Sequence, residues 1–261
     1  MLPERGLRLK TRRRRKRILL ACICLLAGAG LVGTLGAASH LEQLAINSVS
    51  VTGAEKLETE ALTAAVSTSL NERASALFSR KNMFLYSRGS IEKALSAQFP
   101  RINNVSVARE SMLAQALVVT VQEREPFAKW CNEVCYAMDA TGFIYAGADE
   151  PPKTEYTFRG GLVEGDDPIG QYFLRGRIYG AVALLEDVRN AGFPSTGLTV
   201  ESENDFSIAL TDGPLLRASF DMPSGTVIDN LRTAIAADSL KDKLGALEYI
   251  DLRFGNRVYY K

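Results

Sequence analysis

The 261-residue chain has one histidine, His40, at the end of a long apolar run. Serine–histidine–aspartate and cysteine–histidine sites need an imidazole beside the nucleophile, so neither is open to the chain beyond that run. No H-E-x-x-H helix and no phosphate-binding G-x-x-x-x-G-K-[ST] loop occurs. Two carboxylate groupings remain. Asp166 and Asp167 are adjacent, which would suit a cation or acid–base work, but they lie between Gly165 and Pro168 and read as a solvated loop. Glu123 and Glu125 flank Arg124, and a salt bridge at a domain junction is the expected reading. The sole tryptophan, Trp130, reads as a core anchor for a strand, with a place at an interface as the alternative. The chemistry points away from an enzyme, with no catalytic residue, no cofactor and no metal expected.

Four cysteines complete the reactive set. Cys22 and Cys24 fall inside the apolar run and read as small apolar filler. A lipoprotein signal over Leu19-Leu20-Ala21-Cys22 fails, because the cysteine comes too early in the run. Cys131 and Cys135 lie in the later part, where their C-x3-C spacing suits a bridge across a tight hairpin. Two cysteines without a histidine cannot complete a zinc site alone. A disulfide is favoured there, with free thiols as the alternative.

The elements that must carry these residues begin with a strong charge asymmetry. Residues 1–17 hold nine of the 31 basic side chains and one of the 30 acidic ones, leaving 22 basic and 29 acidic elsewhere. The following 21 residues, Ile18 to Ala38, carry no charge. As a helix they would span about 31 Å, against about 30 Å of bilayer hydrocarbon. Such a run at one end of a chain is a membrane helix or a signal peptide. Gly36-Ala37-Ala38 offers a cleavage site, yet the run is longer than a signal's and the basic tail unusually heavy, so an uncleaved anchor is favoured. The cluster Arg12, Arg13, Arg14, Arg15, Lys16 and Arg17 is read as topogenic, placing the tail in the cytoplasm and the rest outside. Nucleic-acid or anionic-lipid binding by that cluster is the sharper alternative.

After a connector over 39–45, Val49 and Val51 alternate with serines as in a half-buried strand closed by Gly53. Leu62, Val66 and Leu70 form a helical stripe, as do Ile91, Leu95 and Phe99 before Pro100. Val105 and Val107, then Leu117, Val119 and Val121, alternate as two strands of a hairpin. The order is β-α-α-β-β. A second unit starts near Pro126. Its hairpin turns at Asp139–Gly142, and its loops cover 147–153 and 159–168. A long helix is expected from about Gly170 to Ala191 on the stripe Leu174, Ile178, Ala181, Val182, Leu185 and Val188. Strands follow near 198–201, 206–211 and 215–220, then a helix near 226–237. A last hairpin, 249–253 and 257–260, turns at Phe254-Gly255-Asn256. The class is α+β, with mostly antiparallel hairpins.

These residues resemble the FtsQ/DivIB family of cell-division proteins. The anchor, the strand Ile46–Gly53, the two helices and Phe99-Pro100-Arg101-Ile102-Asn103-Asn104-Val105 resemble that family's POTRA domain. The segment from Val119 through Arg124-Glu125-Pro126-Phe127 to Trp130 looks like its passage into a β domain. Tyr136 to Gly142 is similar to that domain's first hairpin, and Tyr249-Ile250-Asp251-Leu252-Arg253-Phe254 with Arg257-Val258-Tyr259 resembles its C-terminal signature. The hairpin tip Glu110-Ser111-Met112-Leu113-Ala114 lacks the family's usual proline, and the Cys131/Cys135 pair is not a general family feature.

The resemblance implies a cytoplasmic tail (1–17), a transmembrane helix (18–38), a connector (39–45), a POTRA domain (46–124) and an FtsQ-type β domain (125–261). It implies a non-enzymatic divisome scaffold in the plasma membrane, enriched at the septum. The expected partners are FtsB-like and FtsL-like coiled-coil membrane proteins and other divisome proteins, with no nucleic acid and no small-molecule substrate. A partner strand would add at the C-terminal strand, which gives that role to Arg253, Phe254, Val258, Tyr259 and Tyr260. Only alternate residues of that strand can meet a partner if one face packs under the sheet. The competing reading keeps the POTRA module and places it in export or envelope assembly. A membrane-tethered hydrolase using Asp166 and Asp167, and a tail that tethers DNA or lipid, are the remaining alternatives.

Mass spectrometry of the non-reduced chain is expected to give one peptide pair linked through Cys131 and Cys135. Two free thiols in that region would reject the bridge.

Overall fold

A computed structural model describes the backbone of residues 4–71, 77–162, 167–237, 244–255 and 257–261, with side chains among them from Arg14 onward. Asp166 and Asn256 lie outside the described residues, as do the side chains of Arg12 and Arg13.

The first element, α1 (Glu4–Ser39), runs through both the basic tail and the apolar run. Its segment Arg14–Ser39 is long and apolar enough to cross a membrane. Residues 14–35 are exposed, and from Ile18 onward they carry no charge and are almost all apolar, with none of the other described residues covering them. The string Gly28-Ala29-Gly30-Leu31-Val32-Gly33 has the G-x-G-x-x-G spacing of a dinucleotide turn, but it lies in mid-helix with no strand before it. The stretch after α1 is tied down rather than slack. Glu42–Leu44 forms a 3-10 turn, Ala45 bridges to Asn82, and the Ile46 N–H donates to the Lys81 carbonyl at 2.8 Å.

The chain divides into two units, Met1–Glu123 and Arg124–Lys261. Beyond α1, the first contains β1 (Ser48–Thr52), α2 (Thr59–Asn71), α3 (Arg88–Gln98), β2 (Ile102–Arg109) and β3 (Ala116–Glu123). Its sheet has the order β1-β3-β2, with β1 parallel to β3 and β2 antiparallel to it. Leu62, Val66 and Leu70 of α2 and Ile91 and Leu95 of α3 form the core with Val107, Leu117, Val119 and Val121 of the sheet. The periodic stripes of the sequence are thus the buried faces. Ser87 caps α3, its hydroxyl accepting from the Ser90 N–H at 3.4 Å.

The second unit contains β4 (Ala128–Cys131), β5 (Cys135–Met138), β6 (Ile144–Gly147), β7 (Thr157–Arg159), α4 (Ile178–Asn190), β8 (Ser195–Val200), β9 (Asp205–Leu210), β10 (Leu215–Ser219), α5 (Ser224–Ala236), β11 (Tyr249–Phe254) and β12 (Arg257–Tyr260). One nine-stranded sheet runs β12-β11-β10-β9-β8-β7-β4-β5-β6. The pairs β10–β11, β4–β7 and β7–β8 are parallel and the other five antiparallel. Ile178, Leu185 and Val188 of α4 and Val227 and Leu231 of α5 bury one face of the sheet against Phe158, Leu198, Ile208, Leu216 and Ile250.

One expectation is corrected. α4 begins at Ile178, not near Gly170, because Leu174 has φ +45°, which a helix cannot hold. Residues 170–173 pair instead with the first hairpin: the Gly170 N–H donates to Ile144, the Ile144 N–H to Gln171 and the Phe173 N–H to Gly142. The strand β7 has only three residues and begins where the sequence gives no periodic signal. Cys131 and Cys135 face each other at the end of the β4–β5 hairpin, with Cα atoms 4.1 Å apart, and are joined as a disulfide.

Residues around the unit boundary make bonds inside each unit. Glu125 pairs with Lys153, and Arg124 pairs with Asp139 while stacking 4.2 Å from the Phe143 ring centre. Glu123 Oε1 accepts from three successive N–H groups, Glu55, Lys56 and Leu57, at 2.8, 2.9 and 2.9 Å. They close the turn that leads into α2, and Arg101 lies 4.0 Å from Oε2. Burial raises the Glu123 pKa, but the three N–H donors and Arg101 outweigh it and hold the carboxyl below its usual range.

Glu123→Ala is expected to cost the first unit about 1–3 kcal/mol in denaturant unfolding of the detergent-solubilised chain. The depressed pKa fixes the sign with pH. The contribution is present above the ordinary value of 4.5 and is lost as pH falls through the lower folded value. The deficit of the variant should therefore shrink on acidification.

Candidate partner-binding edge

A β-sheet leaves unpaired N–H and C=O groups along its outermost strands. In the large sheet those strands are β6 and β12. The pairing of β12 with β11 fixes which groups point outward. Lys261 exchanges both backbone bonds with Tyr249, at 3.2 and 3.4 Å, so it forms a hydrogen-bonded pair. The next pair, Tyr260 opposite Ile250, is then non-hydrogen-bonded, and the Tyr260 N–H and C=O face away from the sheet. Val258 lies opposite the irregularity between Asp251 and Phe254, where this regular register is interrupted.

Aromatic side chains flank this edge. Phe254, Tyr259 and Tyr260 are 55%, 48% and 46% exposed. Phe254 and Tyr259 meet edge to face with ring centres 5.1 Å apart. Val258 is half-buried against the core under the sheet, as one face of the strand must be. Tyr260 shares its parity yet stays open, so aromatic surface is presented on both sides of β12. The turn between β11 and β12 is pinned from behind, where Asn230 Nδ2 of α5 donates to the Gly255 carbonyl at 2.8 Å.

Arg253 does a different job. Its Nε and Nη2 donate to the two oxygens of Asp251 at 2.9 and 2.6 Å, and its Nη1 donates to Asp205 of β9 at 2.8 Å. Asp251 is buried, on the face opposite the helices, and lies in register with Arg217 of β10. Burial pushes its pKa up, but Arg253 and Arg217 more than reverse this and hold the carboxyl below its usual range. Arg217 in turn lies 4.5 Å over the Tyr249 ring centre and 3.8 Å from Glu201. This network ties β11 to β9 across β10, so Arg253 positions the edge rather than facing outward from it. The sequence offered one sign of it: an aspartate in the middle of the apolar run Tyr249–Leu252.

The other expected residues lie elsewhere. The disulfide is on β4 and β5, at the far half of the sheet. Arg14, Arg15, Lys16 and Arg17 are exposed on α1. Asp167 Oδ1 accepts from the Ile169 N–H at 2.9 Å, as in a closed turn. Trp130 is buried, its Nε1 donating to the Gly160 carbonyl at 3.0 Å. Among the described residues no group of three or more His, Cys, Asp or Glu side chains is placed to hold a metal ion. Compared with known proteins, the chain matches no family model and no curated sequence.

The two kinds of edge residue should separate on unfolding. Arg253→Ala strips a buried carboxylate of its main partner and is expected to lower stability by about 1–3 kcal/mol. Tyr260→Ala, at an exposed position, should stay within about 0.5 kcal/mol. Chemical denaturation of the full chain in detergent measures both.

Proposed function

We propose that this chain is a non-enzymatic, single-pass scaffold of the bacterial divisome, of the FtsQ/DivIB type. In this reading α1 crosses the plasma membrane with the basic tail in the cytoplasm, and the part of the first unit beyond α1 lies outside, as does the second unit. The first unit is a POTRA domain, a reading supported by its β-α-α-β-β order and β1-β3-β2 sheet. The second is the family's β domain. The scaffold collects small coiled-coil membrane proteins of the FtsB and FtsL kind at the septum and so helps control septal peptidoglycan synthesis.

The observation that carries this reading is the edge of β12. A four-residue strand with outward N–H and C=O groups, flanked by exposed aromatics and rigidly backed by β11, suits the addition of an extended segment. Main-chain bonds would supply part of the affinity, and the rings of Phe254, Tyr259 and Tyr260 would supply apolar contact and selectivity.

The test separates the edge from the fold. Tyr260→Pro removes an outward-facing donor while the inward ladder of β12 keeps its bonds. It is expected to weaken capture of the coiled-coil partners at least about tenfold, equivalent to about 1.4 kcal/mol. Tyr260→Phe should retain capture, and truncation before Arg257 should abolish it and block division although the protein still inserts. A fluorescent fusion at the cytoplasmic terminus should mark midcell before constriction. An even signal around the envelope, with normal division by the truncated chain, would reject the scaffold role in favour of export or envelope assembly.

A further inference from the structure

The end of α1 is built into the first unit. A Cβ on Gly36 would lie 2.8 Å from the Leu77 carbonyl oxygen, so the segment at Leu77 packs directly against the last turns of the apolar helix. Ser39 Oγ accepts from the Ser79 N–H at 3.1 Å. Asn82, buried, donates to the Ser39 carbonyl at 3.2 Å and so satisfies one of the helix's terminal acceptors. The same asparagine accepts from the Phe84 N–H at 2.9 Å, which fixes the turn that follows. On the other side of the exit, Gln115 Nε2 donates to the carbonyls of Glu42 and Gln43 at 3.3 and 2.5 Å, and Arg109 stacks 5.3 Å from the Phe84 ring centre while donating to the Met112 carbonyl. Three segments, 41–45, 77–86 and the β2–β3 tip at 109–115, therefore surround the point where the helix leaves the unit.

The unit's exposed apolar side chains are concentrated there. Outside α1, the large hydrophobic residues exposed in the first unit are Leu41, Leu77, Phe84, Leu85, Met112 and Leu113, at 51%, 54%, 58%, 47%, 82% and 76%. Every one belongs to the three segments around the exit. Among the described residues none lies on α2, α3 or the strands, whose exposed positions are polar or small. An apolar collar of this kind is costly in water and favourable at a lipid interface. Its level is set by Gly36, which is within the apolar run and beside Leu77. Arg80, Lys81 and Arg109 among the same segments, against Glu42 and Glu110, give the collar the slight basic excess that suits an anionic headgroup layer.

The geometry points to a second membrane contact: the collar of Leu41, Leu77, Phe84, Leu85, Met112 and Leu113 dips into the outer leaflet around the exit of α1 and fixes the tilt of the first unit on the bilayer. The ligand is the lipid surface itself. This rests on α1 crossing a membrane and not on the division reading.

Intramolecular depth measurements test it. The full chain is reconstituted in nanodiscs of phosphatidylethanolamine and phosphatidylglycerol, part of the lipid carrying bromine on the acyl chains. Single variants Phe84→Trp and Leu113→Trp report on two sides of the collar, Leu26→Trp on the middle of α1, and Lys93→Trp on the exposed face of α3. The signal of buried Trp130 is subtracted using the unsubstituted chain. The expected result is strong quenching and a blue shift at positions 84 and 113, approaching that at 26, with none at 93. Quenching at 26 alone would overturn the collar contact. If position 26 were also unquenched, α1 would not lie in the bilayer and the anchor would fall with it. Positions 84 and 113 unquenched in nanodiscs but shielded from aqueous labels in whole cells would assign the collar to a protein partner and overturn the lipid contact. Midcell localisation decides the division reading separately and leaves this result unchanged.

Discussion

Three residues hold the larger unit together. Thr157, Phe158 and Arg159 form β7, the strand through which the hairpins β4–β6 join the block β8–β12. Its pairings are parallel on both sides, so no hairpin turn sets its register. Packing and close approach set it instead. Phe158 is fully buried, between the strand cores and Phe173, whose ring centre is 5.1 Å away. Against β8, a Cβ on Gly197 would lie 1.8 Å from the Thr157 carbonyl oxygen, and one on Gly160 would lie 2.3 Å from that of Val200. Only glycine allows the two strands to approach like this. The continuity of the sheet, and with it the support behind β12, depends on that fit.

The sheet has two faces with different tasks. The helices cover one with an apolar core. The other carries a charge network, Glu201, Arg217, Asp251, Arg253 and Asp205, that couples three strands next to the free edge. A buried carboxylate is tolerable only with its partners in place, and here two guanidinium groups supply them. This makes β11 a stiff template. An edge strand mounted on a stiff template loses little conformational freedom when another segment pairs with it, which favours recognition over adventitious aggregation. In the proposed scaffold the exposed rings would select what pairs.

In the smaller unit the decisive bonds are polar and few. Glu123 gathers three N–H groups ahead of α2, and Asn82 joins the helix exit to the 77–86 segment. Both are buried or nearly so, and both satisfy backbone groups that would otherwise be stranded. The result is a long apolar helix that enters its domain through hydrogen-bonded turns instead of a loose linker, so the orientation of the helix is passed on to the unit it carries.

The sequence by itself determined the periodic parts. The stripes Leu62, Val66, Leu70 and Ile91, Leu95, and the alternation Leu117, Val119, Val121, mark buried faces because helix and strand periods are local properties of the chain. The charge-free run at 18–38 and the basic block before it are legible for the same reason. Non-local pairing decided the rest. Leu174 continues the helical stripe of α4, yet residues 170–173 are drawn into the β5–β6 hairpin and the helix starts later. β7 is too short to show a period. Arg253 reads as a surface residue until Asp205, 48 positions away, is brought beside it. That Tyr260 faces open edge, and that six scattered apolar residues gather around one helix exit, are facts of strand register and chain return. They depend on which distant groups meet, and local sequence carries no record of that.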